Sequence, residues 1–260
     1  MATSLRPFFG FYGGKWRDAG RNYPAPECET IVEPFAGSAG YSLRFPDRQV
    51  ILCEIDPIIA AVWKYLIHVS PDEIRAIPDI PDGGSVEDLR VCQEAKWLVG
   101  FWLNRGVARP RKSPSKWMRD GIRPGSFWGD RVRHTVASQV DAIRHWKIHN
   151  VTYEDCPVGD TATWFIDPPY QQRGDHYRFG SRQIDYDRLG EWCKERPGQA
   201  IVCENLGANW LPFHPVRDVK TTRGDRLSSE VRWLGSRTRS NCAGATTGVV
   251  RRQEIEWASQ

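Results

Sequence analysis

Long apolar runs are missing from this 260-residue chain. No stretch approaches the length of a membrane span, and the N-terminus lacks the apolar core of a signal peptide, so a soluble, cytoplasmic protein with no membrane partner is expected. Paired cysteine spacing is missing too. The seven cysteines (28, 53, 92, 156, 193, 203 and 242) are odd in number, scattered and never spaced C-x-x-C. That argues against a metal site of the zinc-ribbon kind and predicts reduced thiols that fill core, not a disulfide framework. No internal repeat is present, which argues against solenoids and propellers. What is there is an ordinary globular composition, 40% hydrophobic with a mean hydropathy of -0.54, long enough to bury a real core as one large domain or one domain with an insertion. The net charge of +4 is small, but its distribution is uneven, and twelve tryptophans are many for this length. Either buried aromatics or stacking platforms would account for them.

The apolar run at 161–166 leads straight into Asp167-Pro168-Pro169-Tyr170, so these four residues sit where a buried strand emerges into a loop. Two prolines stop the ladder and fix the backbone. They hold a carboxylate, a carbonyl and an aromatic ring in one rigid unit. Such a trio suits a flat nitrogen heterocycle with an exocyclic amine, whose two N–H groups would meet the Asp167 carboxylate and the Pro168 carbonyl while Tyr170 stacks on the ring. Alone, the tetrapeptide equally suits a Pro-Pro turn with a surface tyrosine.

Two glycine-rich stretches precede it. Residues 8–17 read Phe-Phe-Gly-Phe-Tyr-Gly-Gly-Lys-Trp-Arg, in which paired glycines allow close backbone approach to a ligand; a plain glycine turn fits as well. Residues 30–43 read as a short strand, a glycine-rich turn and the start of a helix, the layout of a nucleotide-type site. The turn is neither G-x-G-x-x-G nor a lysine-bearing phosphate loop. A second strand over 49–53 ends in Glu54, an acid placed to accept from both hydroxyls of a ribose. Asp56 followed by Pro57 reads as a helix N-cap and first turn.

An apolar stripe predicts a helix from Pro57 to about Val69, and amphipathic spacing another from Val86 to about Asn104. Between them, residues 70–84 are rich in Pro, Asp and Gly and mark a boundary. From 105 to 147 eleven Lys or Arg face three acids, with Trp117, Phe127, Trp128 and Trp146 interleaved as expected exposed aromatics. A phosphate backbone explains that mixture better than a solvated loop does. Strands are expected over 147–153, 161–166 and 199–203, a helix over 185–196, and a final antiparallel pair near 214–219 and 229–234; beyond Gly235 the chain is small, polar and basic. Alternating strands and helices with polar residues at the strand ends predict an open, mostly parallel α/β sheet.

Three stretches in order, Phe11-Tyr12-Gly13-Gly14-Lys15, Glu33-Pro34-Phe35-Ala36-Gly37 and Asp167-Pro168-Pro169-Tyr170, make the chain resemble the DNA adenine-N6 methyltransferases over roughly residues 8–234. The resemblance implies a Rossmann-like S-adenosylmethionine-dependent methyltransferase sheet with an inserted, mainly helical target-recognition domain. It implies a catalytic domain from 1–69 and 148–260, an insertion over 70–147, S-adenosylmethionine as donor and duplex DNA as partner. By that match Asp167, Pro168 and Tyr170 are catalytic. Tyr12, Lys15, Phe35, Gly37, Glu54, Asp155 and Asp167 fall at the donor. Arg109, Arg111, Lys112, Lys116, Arg119 and Arg123 are the expected DNA contacts. The pattern departs from the family at Ala39, where a glycine is common, and at Cys156, where a phenylalanine is usual. An RNA amino-methyltransferase and an inactive DNA-binding relative stay open as alternatives.

Overall fold

The computed structural model describes residues 4–104, 106–121, 125–157, 161–172, 174–220 and 227–235. After a short helix α1 (Trp16–Asn22), strands β1 (Thr30–Glu33) and β2 (Gln49–Cys53) lead to α2 (Pro57–His68), α3 (Pro71–Ala76), α4 (Gln93–Trp102), α5 (Lys116–Arg119) and α6 (Asp130–Ala137). Then come β3 (Lys147–His149), β4 (Ala162–Ile166), α7 (Tyr186–Lys194), β5 (Gly198–Asn205), β6 (His214–Lys220) and β7 (Leu227–Leu234). The strands form one seven-stranded sheet in the order β3-β2-β1-β4-β5-β7-β6. β7 is antiparallel to both β5 and β6 and alone runs against the others. The expected mostly parallel α/β sheet is therefore present, with the antiparallel pair at its end.

Both faces of the sheet are covered, which is why its strands read as continuous apolar runs. Side chains alternate as the pleat requires. Ile31, Leu52, Phe165 and Ile201 enter the cluster on one face, and Val32, Cys53, Trp164, Ile166 and Val202 the cluster on the other. The first cluster holds Trp63 and Leu66 of α2 together with Ile74, Leu98, Phe101 and Val136, so residues of 70–147 share the core of the sheet's own helix.

Local chemistry sets the helix limits. Asp56 caps α2 by accepting from the Ile58 N–H at 3.0 Å, with Pro57 at the first helical position as expected. Ser70 then starts α3 with a reciprocal capping box to Glu73. The single helix expected over 86–104 is instead a 3-10 turn (Val86–Asp88) and α4. Ser85 and Asp88 close that turn on themselves, and Leu89 is extended. Nor does a helix follow the glycine-rich turn after β1: only a 3-10 turn (Ser42–Arg44) forms. Pro46 drives Phe45 out of the helical region, so the segment has no room for a second turn. The strand expected over 147–153 stops at His149, where its pairing with Ile51–Cys53 ends.

Two further expectations are corrected. Cys53 and Cys156 form a disulfide rather than two reduced thiols, with Cα atoms 6.0 Å apart. Pairing of β2 with β3 brings the end of one strand to the loop after the other, a proximity that a separation of 103 residues hides. Cys28, Cys193 and Cys203 are buried thiols as expected, Cys92 is exposed, and Cys242 lies outside the described residues. Phe127, Trp128 and Trp146 are buried, not exposed; Trp117, at 58% exposure, alone fits the expectation. The tail beyond Gly235 lies outside the described residues. No helix among the described residues is long and apolar enough to cross a membrane.

Candidate functional site

Strand order reverses between β1 and β4, and in open α/β sheets ligands bind outside the carboxyl ends of the strands at that point. A cavity of about 310 Å³ lies there. Its wall is built from Glu33 at the end of β1 with Pro34 and Phe35 after it, Glu54, Ile55 and Asp56 after β2, Tyr153 and Glu154 after β3, and Asp167 after β4. Phe11 to Lys15 close one side, and Tyr177 and Arg178, from the loop after the tetrapeptide, cover another. That loop is tied down: the Tyr177 hydroxyl donates to the Tyr12 carbonyl at 3.2 Å, and an Arg178 guanidinium nitrogen lies 3.6 Å from the Asp56 carboxylate.

The glycine-rich turn is shaped by backbone demands. Gly37 has φ +45°, and Ala39, two residues on, also adopts the left-handed region at φ +50°. Its position explains why glycine is the easier residue there. A Cβ on Gly40 would stand 2.6 Å from the Trp16 nitrogen, so glycine lets the turn lie directly against Lys15 and Trp16. Glu54 holds the turn to the end of β2: one carboxylate oxygen accepts from the Gly37 N–H and the other from the Asp56 N–H, both at 2.9 Å. The indole of Trp63 donates to the Gly37 carbonyl at 2.7 Å.

Burial governs the charge of the wall. Glu54 is 7% exposed, and removal from water pushes its carboxyl up to about 7 against the pull of its two backbone donors. Glu33, 2% exposed, accepts from the Ser42 N–H at 2.8 Å and is pushed up to about 8 by the same burial.

At the end of β4 the tetrapeptide meets the N-terminal cluster. Lys15 Nζ lies 2.9 Å from Asp167 Oδ1 and 3.5 Å from Glu230 Oε1, donates to the Gly13 carbonyl at 3.2 Å, and sits 4.8 Å above the Tyr170 ring. Burial opposes the charge on Lys15, but the two carboxylates outweigh it and raise the ammonium above its ordinary value. Burial pushes Asp167 up while Lys15 pulls it down. One ammonium thus lies between two acids. The Tyr170 hydroxyl donates to Glu230 Oε1 at 3.1 Å, and the Tyr186 hydroxyl to the Pro169 carbonyl at 2.5 Å.

Of the residues expected at a donor, Tyr12, Lys15, Phe35, Gly37, Glu54 and Asp167 all line this cavity. Asp155 does not. It is exposed and accepts from the Thr152 hydroxyl at 2.9 Å, while its neighbours Tyr153 and Glu154 face the cavity. Pro168 is buried, and Tyr170 lies beneath Lys15 outside the cavity lining. Sequence reasoning did not single out Glu33, Asp56 or Glu230 as site residues, whereas Tyr177 falls in the loop from Gln171 to Arg182 that reads as a candidate lid or DNA clamp. Glu33 opens a motif already noticed, whereas no local pattern marks Glu230.

Arg109, Arg111, Lys112, Lys116 and Arg119 are all exposed, and Arg123 lies outside the described residues. Arg109 and Arg111 line a second cavity beside the first, with Tyr12 and His176. Lys112 pairs with Glu87 at 3.2 Å, and Arg119 donates to the Pro114 carbonyl at 2.5 Å. Two cations of the same stretch are structural instead: Arg133 is buried against Asp79 and Asp130, and Arg144 donates to the carbonyls of Ile67 and Val69.

No family model matches the chain, and no curated protein matches it. Among solved structures, a conserved hypothetical protein from Streptococcus pyogenes is similar over 80% of this chain and 86% of that one, at 10% identity and a TM-score of 0.35. A likeness that weak assigns no function to this chain.

Proposed function

We propose that the chain is an S-adenosylmethionine-dependent DNA methyltransferase that methylates N6 of an adenine flipped out of duplex DNA. The observation that carries this reading is the position of Asp167-Pro168-Pro169-Tyr170 at the C-terminal end of β4, with Asp167 in the wall of the cavity at the switch point. The wall suits a cationic nucleoside. Glu54 has used one lone pair of each oxygen, and its remaining acceptor capacity is available to a ribose diol. Phe35 and Tyr153, stacked at 5.5 Å, offer flat faces, Glu33 offers a buried carboxyl, and Asp167 offers negative charge to the rest of the donor. When bound, the donor supplies an electrophilic methyl group on a sulfonium.

The residues of this chain then act on the amine. An aromatic amine is a poor nucleophile because its lone pair is conjugated with the ring. Accepting its two N–H groups at Asp167 and the Pro168 carbonyl favours a pyramidal nitrogen with its lone pair aimed at the methyl carbon. The nitrogen gains that carbon as the bond to sulfur breaks, and afterwards sheds a proton to solvent. Positioning and electrostatics carry the rate, without a covalent enzyme intermediate. The chain has no Pro-Cys dipeptide of the kind that serves thiolate attack at carbon-5 of cytosine. An adenine inside a duplex cannot reach such a site, so it is extruded, with Tyr170 replacing part of its former stacking.

The test is to incubate the purified protein with donor and unmethylated duplex, digest to nucleosides and weigh them. N6-methyladenine is expected. N4-methylcytosine as the main product, or transfer to RNA alone, would overturn the assignment. Asp167→Ala should lower turnover by several orders of magnitude and donor affinity far less, and full activity in that variant would remove the mechanism.

A further inference from the structure

We infer that Glu230 is a positioning residue that sets Tyr170 and Lys15 against Asp167 from the sheet's antiparallel strand; the inference rests on the methyl-transfer reading above. Glu230 lies in β7, opposite Asn205 of β5 and Arg217 of β6, some sixty residues beyond the tetrapeptide. It is 6% exposed. One oxygen serves both partners, accepting from the Tyr170 hydroxyl at 3.1 Å and lying 3.5 Å from Lys15 Nζ. The other oxygen is buried without a hydrogen-bond partner among the described residues.

Such a residue is expensive to keep. A carboxylate removed from water is costly unless it is paired, and this one shares its ion-pair partner, Lys15, with a second carboxylate. A packed apolar side chain would serve the fold better, so what this carboxylate contributes lies in the groups it holds. Two consequences follow for Tyr170. The anchored hydroxyl stops the ring from swinging about χ1 away from Asp167. The ammonium lies between Glu230 and Asp167, 4.8 Å from the centre of the Tyr170 ring. When the amine takes Asp167 as its acceptor, Glu230 is the counter-charge that Lys15 retains. Arg232, two residues on and on the same face of β7, donates to the Asn22 carbonyl and ties the strand to the N-terminal segment that carries Lys15.

The experiment compares wild type, Glu230→Ala, Glu230→Gln, Tyr170→Phe and the double variant Glu230→Ala/Tyr170→Phe. Donor affinity is measured by calorimetry, turnover on duplex by methyl transfer, and melting by heat. Expected for Glu230→Ala is a fall in kcat on the order of 100-fold, as for a misplaced reacting group, with donor affinity nearly unchanged. Glu230→Gln, which keeps an acceptor for the Tyr170 hydroxyl, should recover part of it. The double variant should be no worse than Glu230→Ala, because both changes break the same hydrogen bond. A second readout needs no activity. Acylation of Lys15 by an amine-reactive ester, followed by mass spectrometry, should rise several-fold in Glu230→Ala relative to the surface lysines. If wild type methylates DNA and Glu230→Ala does so equally well, or if the two effects simply add, the inference is wrong while the function stands. If wild type transfers no methyl to any nucleic acid, the function fails. Unchanged Lys15 labelling would then also remove the positioning role.

Discussion

Charge at the cavity wall depends on burial residue by residue, and Glu33 shows the consequence most directly. Unfolded, its carboxyl loses a proton near 4.5; folded, it keeps that proton to about 8. Between those values the folded state binds more protons than the unfolded one, so stability is full below about pH 4.5 and falls as pH rises to about 8, by at most about 1.4 kcal/mol per pH unit for one group. Glu54 acts in the same direction over the narrower range up to about 7. Urea unfolding at pH 5, 6.5 and 8 should show this decline, and Glu33→Gln should flatten it between the last two. An equal slope in the variant would mean that Glu33 is ionised in the fold. Ala39 shows a different residue-scale effect, since its left-handed backbone is one that glycine adopts at less cost than alanine.

At the scale of elements, the cations between 105 and 147 divide into two kinds. Arg133 and Arg144 bind carboxylates and helix-end carbonyls inside the fold, whereas Arg109, Arg111 and Lys116 are exposed with no ion pair among the described residues. If the exposed set meets phosphate, neutralising Arg109, Arg111 and Lys116 should weaken duplex binding and flatten the slope of log affinity against log salt by about 0.9 for each phosphate left without its cation. Fluorescence anisotropy across a salt series measures this. An unchanged slope would leave these side chains pointing into solvent. Arg133→Ala should instead lower the melting temperature. The sequence shows eleven cations but not this division, because both kinds occur on the same short stretch and only packing separates them.

Over the whole molecule, the disulfide joins the end of β2, one residue before Glu54, to the loop that carries Tyr153 and Glu154. It spans 103 residues and so encloses α2 to α6 and β3 in one covalent loop. Closing a loop of that size restricts the unfolded chain, and native bridges of this kind contribute about 2–4 kcal/mol. Reduction with dithiothreitol should lower the urea midpoint accordingly, and Cys53→Ser should show the same lower midpoint with or without reductant. Equal midpoints for oxidised and reduced wild type would refute the contribution.

The sequence by itself determined what is local. Apolar runs ending in Glu54 and in Asp167-Pro168-Pro169-Tyr170 marked strands whose carboxyl ends hold acids, and Asp56-Pro57 marked the start of α2, since strand and cap preferences act over a few residues. Only the tertiary structure decided what depends on distant partners. It closed Cys53 on Cys156, buried Trp128 and Trp146 in a shared core, and left Asp155 outside the cavity that its neighbours line. It also carried Glu230 across the sheet to Tyr170 and Lys15. Those outcomes follow from strand order and register, which set long-range neighbours that periodicity and spacing do not encode.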